Sequence, residues 1–132
     1  MEEPLLLLVE DDHLVLLVAQ EALESGGYAV VVAANAEEAI RVLDDRSAEL
    51  AGLVTDVRLG DGLDGWGVAR HARELMPVLP VVYMTGDSAA EWPVHGVPNS
   101  AVVQKPYAPA QLVTAISTLI TSADAMRISS PG

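Results

Sequence analysis

Apolar residues fall along this chain in short runs, and stretches with helical spacing separate them. Leu5–Val9 is unbroken, the pattern of a strand buried on both faces. Beyond it Leu14, Leu17, Val18, Glu21, Ala22 and Ser25 recur at the interval of a helix, and Gly26-Gly27 stop that helix. Ala29–Ala33 is short and valine-rich, a second strand. Asn35 with Glu38 three residues later has the form of a capping box, which predicts a helix over Ala36–Arg46. Leu50–Thr55 is a third apolar run, ending at Asp56. The glycine- and aspartate-rich stretch Gly60–Gly65 reads as a loop, and Trp66–Met76 as a helix ended by Pro77. Val81–Thr85 is a fourth strand and Ala101–Gln104 a fifth. Pro109 at a first-turn position and the stripe Leu112, Ile116, Leu119, Ile120 predict a last helix to about Ser122.

Five alternations of strand and helix predict an α/β domain built on a doubly wound, five-stranded parallel sheet. Gly86–Ser100 is the exception. Gly86, Pro93, Gly96 and Pro98 leave room for about one helical turn at Ser88–Trp92, so the fourth helix should be very short or missing. The same composition makes this the segment expected to be most mobile. The domain is expected to occupy residues 1–122, with 123–132 as a flexible tail ending Ser129-Ser130-Pro131-Gly132.

With 132 residues, 51% of them hydrophobic and none of them Phe, the chain can bury one aliphatic core. It has no cysteine, which excludes disulfides and thiolate metal sites. No apolar run approaches the ~20 residues of a membrane-spanning helix. The acidic opening Met1-Glu2-Glu3-Pro4 is unlike the basic start of a secretory signal, so a cytoplasmic protein is the simplest reading. A net charge of −12, with seven scattered Lys and Arg, argues against direct binding to nucleic acid or an anionic membrane.

Chemistry gathers at the ends of the predicted strands. Glu10 and Asp11 follow the first, Asp56 the third, Thr85 closes the fourth and Lys105 follows the fifth. In a parallel sheet all five stand at the carboxyl edge, where open α/β sheets place their ligands. Three carboxylates, a hydroxyl and an ammonium suit a divalent cation together with a phosphoryl group. Lys105, just before Pro106, is the only lysine in the chain.

The tetrad Val-Glu-Asp-Asp at 9–12, Thr-Asp at 55–56, Met-Thr-Gly at 84–86 and Lys-Pro-Tyr at 105–107 resembles response-regulator receiver domains of the CheY-like, single-domain type. The resemblance covers residues 4–122 and implies a flavodoxin-like (βα)5 fold. It also implies that Asp56 is the phosphoacceptor for a phosphoryl group from a histidine kinase or histidine phosphotransfer protein. Glu10, Asp11, Asp56 and the main-chain carbonyl of Arg58 would hold Mg²⁺, while Thr85 and Lys105 would engage the phosphoryl oxygens. Phosphorylation would alter binding to a downstream protein. Asp12 falls outside the acidic pair and reads as an opening residue of the first helix. His13, His71 and His95 have no metal-ligand spacing and read as surface residues.

The chain departs from the family pattern at several places. Val102 stands where receivers often carry a rotating Tyr or Phe, Gly60 where a proline is common, and the following loop is one residue longer. Arg58 and Asp87, two residues beyond Asp56 and Thr85, carry opposite charges. They either meet across the mouth of the site or both point into solvent. Two rival functions remain within the family: a module cut from a hybrid histidine kinase, against which Met1 argues, and a receiver that binds protein without being phosphorylated. A third rival is a dinucleotide fingerprint, since Gly60-Asp61-Gly62-Leu63-Asp64-Gly65 matches G-x-G-x-x-G with Asp87 beyond it. That pattern normally follows a first strand, and Asp61 and Asp64 would repel a pyrophosphate.

Overall fold

The computed structural model describes residues 3–129, with backbone alone for 126–129. Five parallel strands, β1 (Leu5–Val9), β2 (Ala29–Ala33), β3 (Leu50–Asp56), β4 (Val81–Thr85) and β5 (Ser100–Gln104), form one sheet in the order β2-β1-β3-β4-β5. Helices α1 (His13–Ser25) and α5 (Pro109–Ser129) cover one face, and α2 (Ala36–Arg46) and α3 (Gly65–Leu75) the other. Because side chains alternate along a strand, each central strand feeds two cores. Leu6 and Leu8 pack with Val54, Met84, Leu112 and Ile116 under α1 and α5. Leu7 and Val9 pack with Leu53, Tyr83, Trp66 and Leu43 under α2 and α3. This double burial is why the central runs are apolar without a break.

The fourth connection is short, as its prolines require. A single 3-10 turn, Ala89–Glu91, leads into α4 (Trp92–His95). The α-helical turn begins where the sequence places its end, because Pro93 fits the start of a helix, where its missing N–H leaves no bond unmade. The rest of the segment is less loose than its composition suggests. Tyr83 Oη accepts the Val97 N–H at 3.1 Å, and Trp92 Nε1 donates to Ser100 Oγ at 2.9 Å. The Arg73 guanidinium donates to the carbonyls of Leu79, Pro98 and Asn99 at 2.7, 2.6 and 3.1 Å.

Two further expectations are corrected. Helix α5 does not stop at Ser122 but runs to Ser129; residues 130–132 of the expected tail lie outside the described residues. Ala123 is buried, and no Gly or Pro between Ser122 and Ser129 offers a stop. His71 is not simply exposed: it is half-buried, and its Nε2 meets Asp44 Oδ1 at 2.7 Å, joining α3 to α2. No helix among the described residues is long and apolar enough to cross a membrane.

Candidate functional site

The register of the sheet brings the predicted residues into one row. Val9 lies beside Thr55, Asp56 beside Met84, and Thr85 beside Gln104. The ladder continues one residue past three strands: Glu10 N–H donates to Ala33 O, Val57 N–H to Met84 O, and Lys105 N–H to Thr85 O. Glu10, Asp56 and Lys105 are thereby fixed by backbone rather than carried on free loops.

Glu10, Asp11 and Asp56 each offer a carboxylate oxygen, and the three lie within 4.8 Å of one another. Lys105 Nζ reaches Glu10 Oε2 at 3.1 Å and Asp56 Oδ1 at 3.5 Å. Glu10 Oε1 also accepts the Asp12 N–H, and Asp56 Oδ1 the Val57 N–H at 2.9 Å. Glu10 is 1% exposed and Asp56 7%, whereas Asp11 faces solvent. Asp12 opens α1 as expected, its carboxylate accepting the N–H groups of Leu14 and Val15.

These groups are short of positive charge. Burial, then the neighbouring Asp56 charge, pushes Glu10 from 4.5 up to about 7, against the Asp12 N–H and Lys105. Burial also raises Asp56, although Lys105, Glu10 and the Val57 N–H oppose it. Lys105 is itself disfavoured as a cation by burial, yet Glu10 and Asp56 outweigh that and hold its ammonium above its ordinary value. One ammonium thus serves two buried carboxylates with a third close by. An all-oxygen donor set in which carboxylates are held up by desolvation and mutual repulsion fits a hard divalent cation.

Thr85 is 1% exposed, and its Oγ1 accepts the N–H groups of Ser88 (2.8 Å) and Asp87 (3.3 Å). With both lone pairs engaged, its hydroxyl proton is left to donate. Arg58 and Asp87 do meet: Nε lies 3.0 Å from Oδ1 and Nη2 2.9 Å from Oδ2, a two-pronged pair exposed to solvent. The hydrogen bond from Arg58, then that from Ser88, holds Asp87 below the usual carboxylate range.

Two residues at the site escape sequence reasoning. Thr55 Oγ1 donates to the Asp56 carbonyl at 2.9 Å, and nothing in the residue type signals it. Gly65 opens α3 directly against the acceptor strand: its N–H donates to Val57 O at 2.7 Å, and a Cβ there would stand 2.1 Å from Asp56 O. The glycine pattern could have flagged it, for a different reason than pyrophosphate binding. Gly60 and Gly62 turn the loop at φ +82° and +93°, and Gly65 permits the close approach. The start of α3 is already capped by Asp64, which accepts the Gly67 N–H at 3.0 Å, so an anion would meet a carboxylate there.

The sequence profile of the response regulator receiver domain matches residues 6–117. The C4-dicarboxylate transport transcriptional regulatory protein DctD of Rhizobium meliloti is 34% identical over 83% of this chain, and the sensor kinase CckA of Brucella abortus is 29% identical over 89%. The chain spans 24% and 13% of the lengths of those two relatives. The crystal structure of a response regulator receiver protein from Sinorhizobium medicae superposes with a TM-score of 0.89 at 39% identity, covering 92% of this chain and 98% of that one. The receiver domain of the hybrid histidine kinase CckA gives a TM-score of 0.73 at 26% identity, over 88% of this chain and 98% of its own.

Proposed function

This chain belongs to the response regulator receiver domain family, and from that premise we propose that it accepts a phosphoryl group on Asp56 from a phosphohistidine donor and thereby changes its binding to a partner protein. The observation that carries the reading is the juxtaposition of three carboxylate oxygens within 4.8 Å, the Lys105 ammonium between two of them and the Thr85 hydroxyl at the same sheet edge. An Asp56 oxygen attacks phosphorus, the P–N bond to the donor imidazole breaks, and the imidazole leaves carrying its proton. Lys105 and Thr85 receive the oxygens of the transferred group, a charge-matched and pre-positioned set of donors. Glu10, Asp11, Asp56 and the Arg58 carbonyl are the residues that would hold Mg²⁺, which would supply the positive charge these carboxylates lack.

The donor is a histidine kinase or histidine phosphotransfer protein. Leu14, 73% exposed, with Leu17 and Val18 forms an apolar stripe on α1 directly after Asp11 and Asp12, the natural seat for that donor beside the mouth of the site. The chain is a phosphoacceptor that assists its own phosphorylation and dephosphorylation, and it works in the cytoplasm. Incubation with phosphoramidate or acetyl phosphate and Mg²⁺, followed by intact mass, tests the reading. One alkali-labile phosphoryl group should be added to the wild type and none to Asp56→Asn, whose amide is no nucleophile. Undiminished labelling of Asp56→Asn overturns it; failure of any labelling would favour a receiver that binds protein unphosphorylated.

A further inference from the structure

Among the described residues, one half-buried cation meets no carboxylate. Arg41, Arg46, Arg58 and Lys105 each pair with Glu or Asp. Arg73 instead donates to the main-chain carbonyls of Leu79, Pro98 and Asn99, which offer dipoles but no charge. Burial lowers its pKa, and Tyr83 is the ionisable neighbour that opposes the shift. Burial raises Tyr83 as well, so that hydroxyl stays neutral and supplies no anion. A guanidinium has five N–H donors. With three engaged, one remains on each terminal nitrogen, and two is the number a carboxylate takes up in a bidentate pair. Arg73 also lines a cavity of about 170 Å³ near the amino ends of β4 and β5, the end of the sheet opposite Asp56. Pro77, Val78, Pro80, Leu119 and Ala123 give that cavity apolar walls, while Asn99 and Ser122 add an amide and a hydroxyl.

We propose that this cavity binds a small apolar acid, with its carboxylate on Arg73 and its hydrocarbon body between α5 and the connection from α3 to β4. Size limits the body. An apolar cavity of about 150 Å³ accommodates one benzene ring, so a single ring or a short branched chain fills the space. Charge limits the head group. The chain carries a net −12, and a dianion such as inorganic phosphate would meet one cation against that whole field. Its remaining oxygens would also face apolar walls and go unpaired. A monocarboxylate needs only the two free donors, and its body gains by leaving water. Water alone would find few partners on five apolar side chains. Asn99 helps to hold the cation in place. It stands at φ +57°, a conformation uncommon outside glycine, and its carbonyl is one of the three that orient the guanidinium. The acceptor chemistry at the carboxyl edge plays no part in this site.

Titration of the isotopically labelled full chain with benzoate, followed by amide and guanidinium NMR shifts, tests the proposal. A ligand this small should bind with a dissociation constant on the order of 0.1–1 mM. The shifts should centre on Arg73 Nε and on the amides of Val78, Asn99, Ser122 and Ala123. Benzamide has the same shape without the charge and should bind at least about tenfold more weakly. Arg73→Met removes the cation and should abolish binding. Because that change also removes three hydrogen bonds, Ser122→Phe provides a second variant. Ser122 is exposed on α5, so a ring there fills the cavity while circular dichroism stays that of the wild type, and benzoate affinity should fall at least about tenfold. No saturable shift up to about 10 mM benzoate overturns the proposal. So do shifts centred on Lys105 instead of Arg73, equal binding of benzamide, or undiminished binding to Ser122→Phe.

Discussion

Gly65→Ala is the most informative single change the structure suggests, because it adds one methyl group and no charge. The added Cβ would lie 2.1 Å from the Asp56 carbonyl oxygen and 2.9 Å from Val57 Cα, backbone atoms at and just past the end of a central strand that cannot step aside. Either α3 backs away from β3, losing the 2.7 Å bond from Gly65 N–H to Val57 O, or β3 deforms at the acceptor. Overpacking of this kind costs about 1–3 kcal/mol, and losing the bond adds about 1. The better helix propensity of alanine returns up to about 1 kcal/mol, leaving a net loss of roughly 1–4 kcal/mol. For a domain of this size that lowers Tm by about 3–16 °C. Gly67→Ala is the control. Its Cβ would lie 2.3 Å from Leu63 Cδ1, nominally as severe, but Leu63 is 44% exposed and can swing into solvent. Propensity should then offset the contact to within about 0.5 kcal/mol. Urea melts of the two variants decide the matter, with Trp66, adjacent to Gly65, as a fluorescence probe. Mg²⁺ titration and acetyl phosphate labelling should show weaker binding and slower phosphorylation for Gly65→Ala alone, since its clash lies on the Asp56 backbone. Equal stability of the two variants, or a Gly65→Ala protein within about 0.5 kcal/mol of wild type, would refute the close-approach reasoning.

The remaining predictions concern charge and anchoring. Glu10 stands at about 7 in the folded protein against an ordinary 4.5, so the folded state binds the extra proton between those values. Without Mg²⁺, stability should therefore fall as pH rises through that window, by an amount on the order of 3 kcal/mol, and Glu10→Gln should flatten the profile. Denaturant melts across pH in chelator check this; a wild-type profile as flat as that of Glu10→Gln refutes it. Arg58→Ala and Asp87→Ala should each hasten loss of the acyl phosphate by opening the approach of water, and the double variant should be no faster than either, because one pair is broken in all three. Additive rates in a phosphate-release assay would mean independent action. Arg73→Met deletes three hydrogen bonds to backbone carbonyls and should cost about 1–3 kcal/mol, with hydrogen-exchange protection lost first around Val97–Asn99. Protection unchanged there would show that the guanidinium is not what holds the segment.

What could be read from the chain was whatever a local pattern encodes. Leu5–Val9 and Val81–Thr85 are unbroken because both faces of their strands are covered, and the residue that ends or follows each such run must stand at the carboxyl edge of the sheet. That is why Glu10, Asp56, Thr85 and Lys105 could be placed together before any geometry was known. Asn35 and Asp12 were legible as helix openers because a cap acts within three residues. The features that escaped are those decided by distant partners. The chain offers Arg58 and Asp87 as a pair across the mouth of the site but does not decide between that and two side chains in solvent, because they are 29 positions apart and no spacing rule joins two loops. The segment after Gly86 looks mobile from its prolines and glycines, but Arg73 and Tyr83 reach it from α3 and β4. The end of α5 was missed because polar Thr121 and Ser122 look like a boundary, although they carry no stop and Ala123 finds a buried position.

These contacts also narrow where a phosphorylated form can respond. With Val102 in place of an aromatic, no ring at that position can turn inward when the site is charged. If Asp56 is phosphorylated as proposed, Thr85 is the residue at the site left to carry the change. Its oxygen already accepts the amides of Asp87 and Ser88, so if its hydroxyl turns to donate to a phosphoryl oxygen, those two residues travel with it. Asp87 in turn holds Arg58, so the movement pulls directly on the exposed ion pair at the mouth. Beyond α4 the chain is pinned again, at Val97 by Tyr83 and at Pro98 and Asn99 by Arg73. A displacement that starts at Thr85 and cannot pass Val97 has to be taken up between Gly86 and Gly96, in the 3-10 turn and the single turn of α4. A one-turn helix has few internal bonds to lose. Under the proposed phosphorylation, the short fourth helix is thus the element that would take up the movement, placed between the Thr85 hydroxyl and the anchors at Val97–Asn99.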